Sequence, residues 1–423
     1  MTSEIYNYDN DIKFDINLSL VSKSHPNSFL YNLSEQLGLI GNKRNKYSSH
    51  LSCISANLVL FHLNRVGEFV YYSRDNNFYK SIARYNPLKI SIRKIKKIIT
   101  LLIKHEFIDH RKGRHIKHDR ELSYRARFRP TPKFLYLLSR SFVKRQHVFR
   151  TGSDVIILKN SKKYLKDYLD DEYTDRIRRD CSSYNNYLGF NKINLSRTKQ
   201  VKDYLRERDI DFKNKSYQRI FNGDFKHGGR FYGPWWLNIP SDLRQFITIN
   251  NNKTVEYDYS SLIIHQIYSE VGLNYFEENT YSDDPYLLKG VANTERKINK
   301  AIIQIGLNCE DLESLNKALL RQYKKGKLIG NKPRKKEIEK RLNIFKEMNP
   351  KIADYVYRQN ALRFQFQDSE IARKIINRCS MYLIPVLSVH DSFIVEETNS
   401  NFIIDTMNNA IKDSGLTSVP LIK

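Results

Sequence analysis

The chain has 423 residues, 40% of them apolar, which is enough for two or three domains with separate cores. Lys and Arg total 72 against 46 Asp and Glu, so the formal charge of +26 predicts a partner made of phosphates. Part of the Lys content reflects a composition rich in Lys, Asn, Ile and Tyr, which is typical of AT-rich coding sequence. No stretch approaches 18 consecutive apolar residues, so we expect no membrane span.

The cysteines and the first residues bear on the compartment. The four cysteines show no CxxC or Cys/His spacing, which supports neither structural zinc nor a disulfide framework: Cys53, Cys181, Cys309 and Cys379. The opening MTSEIYNYDNDIKFD lacks the basic and apolar regions of a secretory signal. We therefore expect reduced thiols and a cytoplasmic protein.

The front of the chain predicts a winged-helix-like domain over residues 46–145, after a polar, turn-rich segment 1–45. LSCISANLVLFHLN, from Leu51, predicts an amphipathic helix. ISIRKIKKIITLLIKH predicts a basic helix over 91–105 with isoleucines on one face, and 111–129 predicts an extended, basic hairpin. This order resembles a winged helix in pattern rather than in motif.

A winged helix would place the basic helix against DNA, with 111–129 as the wing. Its DNA-binding side chains would be Arg93, Lys94, Lys96 and Lys97. The alternative is a solvated basic face on a helical domain that packs only against a neighbour, because winged helices also dock proteins.

Residues 146–225 are highly charged and predict a mostly helical, thumb-like connector. From Asp224 the composition changes to Gly, aromatics and Pro in DFKHGGRFYGPWWLNIP, which predicts a domain boundary. We therefore expect a further domain over 226–423.

Two acidic elements lie in this last domain. TVEYDYSSLIIHQIY predicts a strand that ends at Asp258 and a helix that follows it. YLIPVLSVHDSFIVEE predicts a hairpin whose turn carries His390, Asp391 and Ser392. If both belong to one antiparallel sheet, the two carboxylates lie close together and need a cation between them, which two magnesium ions would supply.

A basic pair lies between the two aspartates. In NTERKINKAIIQIGLN, Arg296 and Lys300 are four residues apart and share one face of a predicted helix, which can grip a triphosphate. Such basic pairs are frequent on solvated helices. This pair is a candidate phosphate-binding site because it lies between the two aspartates in the sequence.

Taken in chain order, these motifs resemble those of family-A DNA polymerases and the related single-subunit phage RNA polymerases. The series over residues 226–397 is HGGRFYGPWWLNIP with Arg244, VEYDYSS, RKINK, FQFQDSEIARKII and VHDS. The resemblance implies an α+β fold with a right-hand polymerase palm on an antiparallel sheet, and a helical thumb. Asp391 follows Asp258 by 133 positions (391 − 258), which implies reduced fingers.

The resemblance also implies residue roles, in a nucleotidyltransferase that uses two Mg²⁺ ions, a DNA primer-template and nucleoside triphosphates. The metal ligands would be Asp258, Asp391 and the Tyr259 carbonyl. Tyr259 and Gln304 would belong to the nucleotide pocket, Arg296 and Lys300 would bind phosphates, and Lys300 would protonate pyrophosphate. Primer or template contacts would come from Arg230, His390 and Gln365, with Gln367 as the alternative to Gln365.

Three departures leave the sugar preference open. Where the DNA enzymes carry a Glu, a stacking aromatic and a tyrosine, this chain has Ile263, Gln304 and Asn308. HDSF is also the form found in the phage RNA polymerases. No paired-carboxylate exonuclease motif precedes the palm, so no proofreading is expected.

We predict a DNA polymerase with a DNA-binding module, suited to replication of a mobile element, a plasmid or a phage. The alternatives are a replication initiator or regulator on an inactive polymerase-like scaffold, and a single-subunit RNA polymerase. A metal-dependent nuclease would have no need for the triphosphate-gripping Arg296 and Lys300.

Overall fold

The computed structural model describes residues 11–20, 29–64, 69–75, 79, 83–116, 119–144, 147–152, 154–207, 210–279 and 281–423. These residues form a mixed α+β fold with mostly antiparallel sheets, which confirms the predicted class. They divide into two compact units. The first comprises the described residues up to Leu169 and 202–211, and the second comprises Asp170–Val201 and Phe212–Lys423.

The first unit packs helices against one face of a small sheet. Its helices are α1 (Phe29–Gln36), α2 (Asn42–Asn64), α3 (Ile92–Lys104) and α4 (Pro132–Arg140). Its strands are β1 (Ile12–Lys13), β2 (Leu18–Leu20), β3 (Val70–Tyr71), β4 (Ile108–Arg111), β5 (Arg114–Ile116), β6 (Asp119–Tyr124), β7 (Arg127–Pro130), β8 (Val148–Arg150) and β9 (Ile156–Lys159). The main sheet has the order β1-β3-β7-β4, β5 pairs with β6, and β2 pairs with β8.

The basic helix forms where the sequence predicts it. Helix α3 has Ser91 at its N-cap and His105 at its C-cap, and its isoleucines, apart from the exposed Ile103, are buried in the unit's core. Arg93, Lys96 and Lys97 are exposed, and Lys94 is half-buried. The hairpin-like segment 111–129 forms the ends of β4 and β7 and the β5–β6 pair, and the side chains of 115–124 lie outside the described residues.

The structure differs from the expectation for the front of the chain. Residues 11–20 are not a polar lead-in, because Phe14, Leu18 and Leu20 are buried in the first core. The signal was a run of apolar residues at every second position, which the surrounding polar composition hides. Helix α2 begins earlier than Leu51, and residues 50–59 are buried on every side rather than along one stripe.

The stretch 146–225 also differs from its expectation, because strands interrupt it. It contains β8, β9, helix α5 (Glu172–Phe190), strand β10 (Ile193–Leu195), helix α6 (Lys199–Glu207) and strand β11 (Gln218–Asn222). These strands are short apolar runs between charged stretches. The charged stretches have a helical periodicity, so the sequence predicted helix for the whole region.

The second unit holds the five-stranded sheet that carries both aspartates. Its further strands are β12 (Asp224–Tyr232), β13 (Ile247–Ile249), β14 (Asn252–Asp258), β15 (Leu387–Val389) and β16 (Ser392–Glu396), and the sheet order is β10-β13-β14-β16-β15. Its further helices are α7 (Ser241–Arg244), α8 (Leu262–Glu270), α9 (Tyr275–Glu278), α10 (Arg296–Gly306), α11 (Leu312–Lys324), α12 (Lys335–Met348), α13 (Ala361–Met381) and α14 (Ser400–Lys412). Helices α8 and α10–α12 share a second core.

Buried tyrosines complete the edge of this sheet. Strand β15 is an edge strand, so one side of its backbone has no neighbouring strand. The Tyr184 hydroxyl donates to the Val386 carbonyl and accepts from the Val386 N–H at 3.0 Å, while the Tyr217 hydroxyl donates to the Ser388 carbonyl at 2.9 Å. Trp236 donates from Nε1 to the Tyr217 hydroxyl at 3.0 Å. These bonds satisfy backbone groups that are buried away from water.

Two glycines shape the β11–β12 hairpin so that α13 can approach it. Gly228 and Gly229 have φ of 81° and 79°, next to register shifts in the pairing with β11. A Cβ on Gly229 would lie 2.7 Å from Phe221 Cε1 and 2.9 Å from Ser369 Oγ. Gly229 is therefore required by packing against the helix, whereas a Cβ on Gly228 would meet strand β11, at 2.6 Å from Asn222 Nδ2. Among the described residues, no helix is long and apolar enough to cross a membrane.

Gly229→Ala is expected to lower the free energy of unfolding of the second unit by about 3 kcal/mol, because it adds a steric overlap to the cost of a positive φ. Gly223→Ala in the same hairpin is the control: its φ is 84°, but nothing lies within 4 Å of its Cβ. It should cost about 1 kcal/mol. Urea unfolding followed by tryptophan fluorescence reports this unit, because it contains both tryptophans, Trp235 and Trp236. Equal losses of unfolding free energy in the two variants would contradict the prediction, because they would show that the structure relaxes to remove the steric overlap at Gly229→Ala.

Candidate active site

The strand register brings the two aspartates together. Strand β14 pairs antiparallel with β16, and Asp258, its last residue, lies opposite Ser392. Asp391 occupies the two-residue loop between β15 and β16, just before Ser392. The Tyr259 N–H donates to the Asp391 carbonyl at 3.4 Å. The predicted strand, hairpin and shared sheet are all present.

The loop residue His390 is held in a sparsely populated backbone conformation. Its φ is 62°, a value that favours glycine in tight hairpin loops. Its ring packs edge-on against Tyr232 with the centroids 5.6 Å apart, and its buried Nδ1 has no hydrogen-bond partner among the described residues. Burial and then the charge of Arg230 lower the pKa of His390, so its imidazole is neutral at pH 7.

The acidic pair is electrostatically strained. The pKa of Asp258 is raised to about 7, first because burial disfavours the carboxylate and then because Asp391 carries a like charge. Lys300 opposes this shift. Two carboxylates in this state create a demand for positive charge, and their hard oxygen atoms are the ligands that Mg²⁺ prefers.

The backbone carbonyl of Tyr259, rather than its side chain, is the group that can accept a ligand at this site. Its ring is buried, and its hydroxyl donates to the Met407 carbonyl at 2.6 Å. Its own carbonyl accepts no hydrogen bond from the described residues, so that oxygen is available to a ligand. No group of three or more His, Cys, Asp or Glu side chains suited to a metal occurs in the described part of the chain. A metal here would have two carboxylates and a backbone oxygen as its protein ligands.

A cleft of about 180 Å³ opens beside the pair. The residues that line it include six predicted from sequence: Arg230, Tyr259, Lys300, Gln304, Gln365 and Asp391. It is also lined by Ile263 and Asn308, two of the positions that depart from the family pattern. Gln367 is not part of the lining, so of these two alternatives only Gln365 lines the cleft.

Helix α10 presents Lys300 to the cleft but turns Arg296 elsewhere. The Lys300 ammonium makes no hydrogen bond or ion pair with the described residues, and it lies 5.6 Å from the centre of the Tyr286 ring. Arg296 also lies 5.6 Å from that ring, which confirms that the two side chains share a helix face. However, its Nε donates to Asp284 at 2.5 Å, and it does not line the cleft.

Sequence reasoning missed three residues around the cleft. Asp368 lines it and binds Arg230, and its place one turn after Gln365 on α13 was the available signal. The buried Tyr286 accepts a hydrogen bond from Gln304 Nε2 at 3.4 Å, and no sequence pattern indicated it. Glu256 shares the face of β14 with Asp258, because side chains two residues apart point the same way.

Glu256 is restrained from two directions. Its Oε1 accepts from the Ser392 hydroxyl at 2.5 Å. Its Oε2 lies 3.2 Å from Arg244 Nε, as an ion pair whose N–H is not aimed for a hydrogen bond. Glu256 raises the pKa of Asp258 and Arg244 lowers it, so both extend the charge network of the acidic pair.

The predicted DNA-binding residues belong to the other compact unit. Arg93, Lys94, Lys96 and Lys97 all lie on α3 of the first unit. They form a basic helix face of their own, separate from the cleft residues of the second unit.

Comparisons with known proteins give little guidance. No family model matches the chain, and neither does any curated protein. One solved structure that matches is the POL domain of Pol1 from M. smegmatis, in complex with DNA primer-template and dNTP, with a TM-score of 0.35 and 13% sequence identity. The match covers 60% of this chain and 64% of that one, which is less than two thirds of its length. Because this likeness is too low to establish a shared fold, the function must be argued from the site.

Asp258→Asn is expected to raise the free energy of unfolding of the second unit at about pH 8, without divalent cations, by on the order of 2 kcal/mol. The folded pKa of about 7 lies above the ordinary 3.8, so the stabilising protonated form is fully present below 3.8 and is lost as the pH rises through 7. The difference between variant and wild type should therefore shrink as the pH falls towards 4. Urea unfolding by tryptophan fluorescence at several pH values measures it.

The control is Asp405→Asn at an exposed site on α14. It should leave the pH profile of unfolding unchanged. A destabilising Asp258→Asn at pH 8 would show that the carboxylate is well accommodated without a cation.

Proposed function

We propose that the second unit catalyses template-directed nucleotidyl transfer as a DNA polymerase of the family-A type, and that the first unit binds duplex DNA. One observation carries the proposal: the half-buried Asp258 and Asp391 lie together, and Asp391 lines a cleft that also holds the Lys300 ammonium, which makes no hydrogen bond or ion pair with the described residues. Juxtaposed carboxylates beside a free cation fit a reaction that moves phosphoryl groups.

Asp258, Asp391 and the Tyr259 carbonyl are the groups that would hold two magnesium ions. When bound, Mg²⁺ supplies the lowered pKa of an attacking 3′-hydroxyl and the neutralisation of charge on the departing pyrophosphate. The raised pKa of Asp258 supports this assignment, because a divalent cation would offset both of its causes, first the burial of the carboxylate and then the like charge of Asp391.

The chain's own side chains bind the triphosphate. Lys300 reaches into the cleft without a competing partner, so it binds phosphate oxygens and donates a proton to pyrophosphate. Arg296 lies on the same helix face and can join it only by exchanging Asp284 for a phosphate. Gln304 lies one turn beyond Lys300 and lines the nucleotide pocket.

The primer terminus would lie on the other side of the acidic pair. Arg230 and Gln365 line the cleft, and the neutral imidazole of His390 is in the same loop as Asp391. A guanidinium, an amide and a neutral imidazole can contact the sugar and the minor-groove edge of the terminal base pair by hydrogen bonds.

Ribonucleotides are the second candidate substrate. Gln304 and Asn308 line the cleft at positions where the DNA enzymes carry aromatic residues. A pocket with polar amides offers partners for an additional sugar hydroxyl. The choice between the two sugars is therefore part of the test.

Magnesium-dependent extension of a labelled DNA primer is the central expectation. Asp258→Asn and Asp391→Asn should each reduce the single-turnover rate at least about 1,000-fold, and Lys300→Ala about 100-fold, because they remove metal ligands and the phosphate-binding cation respectively. Deoxynucleotides and ribonucleotides are compared in parallel.

The matched control for extension is Asp405→Asn, an exposed carboxylate of the same unit. It should extend primers at the wild-type rate. Tight DNA binding without extension by the wild type would instead support an initiator or regulator on an inactive scaffold. Metal-dependent cleavage without extension would support a nuclease.

Binding of a blunt duplex tests the first unit. Replacing Arg93, Lys96 and Lys97 with Ala should reduce the slope of log K against log salt by about 0.9 for each lost phosphate contact. Replacing the exposed Lys43 and Lys46 at the start of α2 is the control and should change the slope little. Equal changes of slope in the two sets of variants would contradict a specific role of α3, because they would show that only the overall positive charge attracts DNA.

A further inference from the structure

A buried carboxylate grips the arginine of the HGGR motif. Arg230 donates from Nε to both oxygens of Asp368, at 3.2 and 2.9 Å, and from Nη2 to Oδ2. The side chain of Asp368 is 6% exposed, whereas that of Arg230 keeps 24% of its surface in the cleft. Burial raises the pKa of Asp368 to about 6, opposed first by its hydrogen bonds with Arg230, so the carboxylate is ionised at neutral pH.

The pair is built on rigid supports. Asp368 lies on α13, and the next two residues, Ser369 and Glu370, both accept hydrogen bonds from the buried Arg219, at 3.0 and 2.8 Å. Arg219 Nε also donates to the Gly229 carbonyl at 2.8 Å. Arg219 therefore fastens the helix to the glycine bulge next to Arg230, and little freedom remains between carboxylate and guanidinium.

The geometry leaves one edge of the arginine for a ligand. Asp368 occupies Nε and Nη2, while Nη1 makes no hydrogen bond to the described residues. Arg230 and Asp391 both line the cleft. Arg230 is thus held beside Asp391 with its free edge in the cleft.

We propose that Asp368 is a positioning residue that orients Arg230 to bind the 3′ end of a primer strand at the acidic pair, an inference that rests on the proposed function. A planar guanidinium fixed along one edge keeps two N–H groups in a defined direction, which a freely rotating arginine would not. The opposite reading is that Asp368 only neutralises Arg230 and competes with the nucleic acid. The contacts favour positioning, because a carboxylate this deeply buried cannot withdraw into solvent when a ligand arrives.

The test is a double-mutant cycle on equilibrium binding, with Arg230→Ala, Asp368→Ala and the double variant. Each is measured against a duplex with a recessed 3′ end and a blunt duplex of the same length, so that binding by the first unit cancels in the ratio. Asp368→Ala and Arg230→Ala should each lose about tenfold in preference for the recessed end, and the double variant should lose no more. Asp368→Asn retains the shape of the side chain and should lose the preference with the fold intact.

The matched control is Asp405→Asn, an exposed carboxylate of the same unit on α14. It contacts neither the cleft lining nor the supports of Asp368, so it should keep the preference for the recessed end. Tighter binding by Asp368→Ala, unchanged binding, or additive losses in the double variant would overturn the proposal. So would a wild type without preference for the recessed end. Binding that follows the cycle in a protein that does not extend primers would keep the positioning role and reject the polymerase.

Discussion

The repulsion between Asp258 and Asp391 is the constraint to which the rest of the second unit responds. The register of β14 against β16 creates this repulsion, because β14 ends opposite the turn of the β15–β16 hairpin. Two like charges in a poorly hydrated site destabilise the folded state. The raised pKa of Asp258 reflects this destabilisation, which comes first from burial and then from the charge of Asp391. The nearby cations Lys300 and Arg244 reduce the cost only in part. The site is therefore unfavourable until further positive charge arrives, which supports the proposal that divalent cations bind there.

The two aspartates stay close together only if the surrounding strands are held rigidly, and buried polar side chains hold them. Tyrosine hydroxyls take the place of a neighbouring strand along β15, so the hairpin is held at its open edge as well as through β16. The positive φ of His390 is tolerated because both strands that enter the loop are fixed. Strand pairing alone would leave the loop free to open and move Asp391 away from Asp258.

Much of this could be predicted from sequence, and the failures have physical reasons. The strand before Asp258, the hairpin around Asp391 and the helix with Lys300 all follow from local periodicity, and the structure contains all three. The partner of Arg296 could not be predicted, because Asp284 lies in an irregular segment whose path depends on tertiary packing. The role of Asp368 was hidden for a related reason: a carboxylate in a charged helix is ordinarily solvated, and only packing against the glycine bulge buries it. Short strands near the front were missed because the surrounding polar composition hides the alternating apolar residues that form them.

The cleft contains two cations in opposite states, and this contrast argues for a division of labour. Lys300 has a flexible stem and no anionic partner, which suits a group that must follow phosphates as they arrive and depart. Arg230 is clamped by a buried carboxylate, and a buried ion pair of this kind contributes little net stability because desolvation offsets the attraction. Stability therefore does not explain why the pair lies there, which supports the proposed role of Asp368 in orienting Arg230. In the proposed reaction Lys300 would serve the triphosphate and the fixed Arg230 would serve the primer, as an in-line transfer between two separately bound substrates requires.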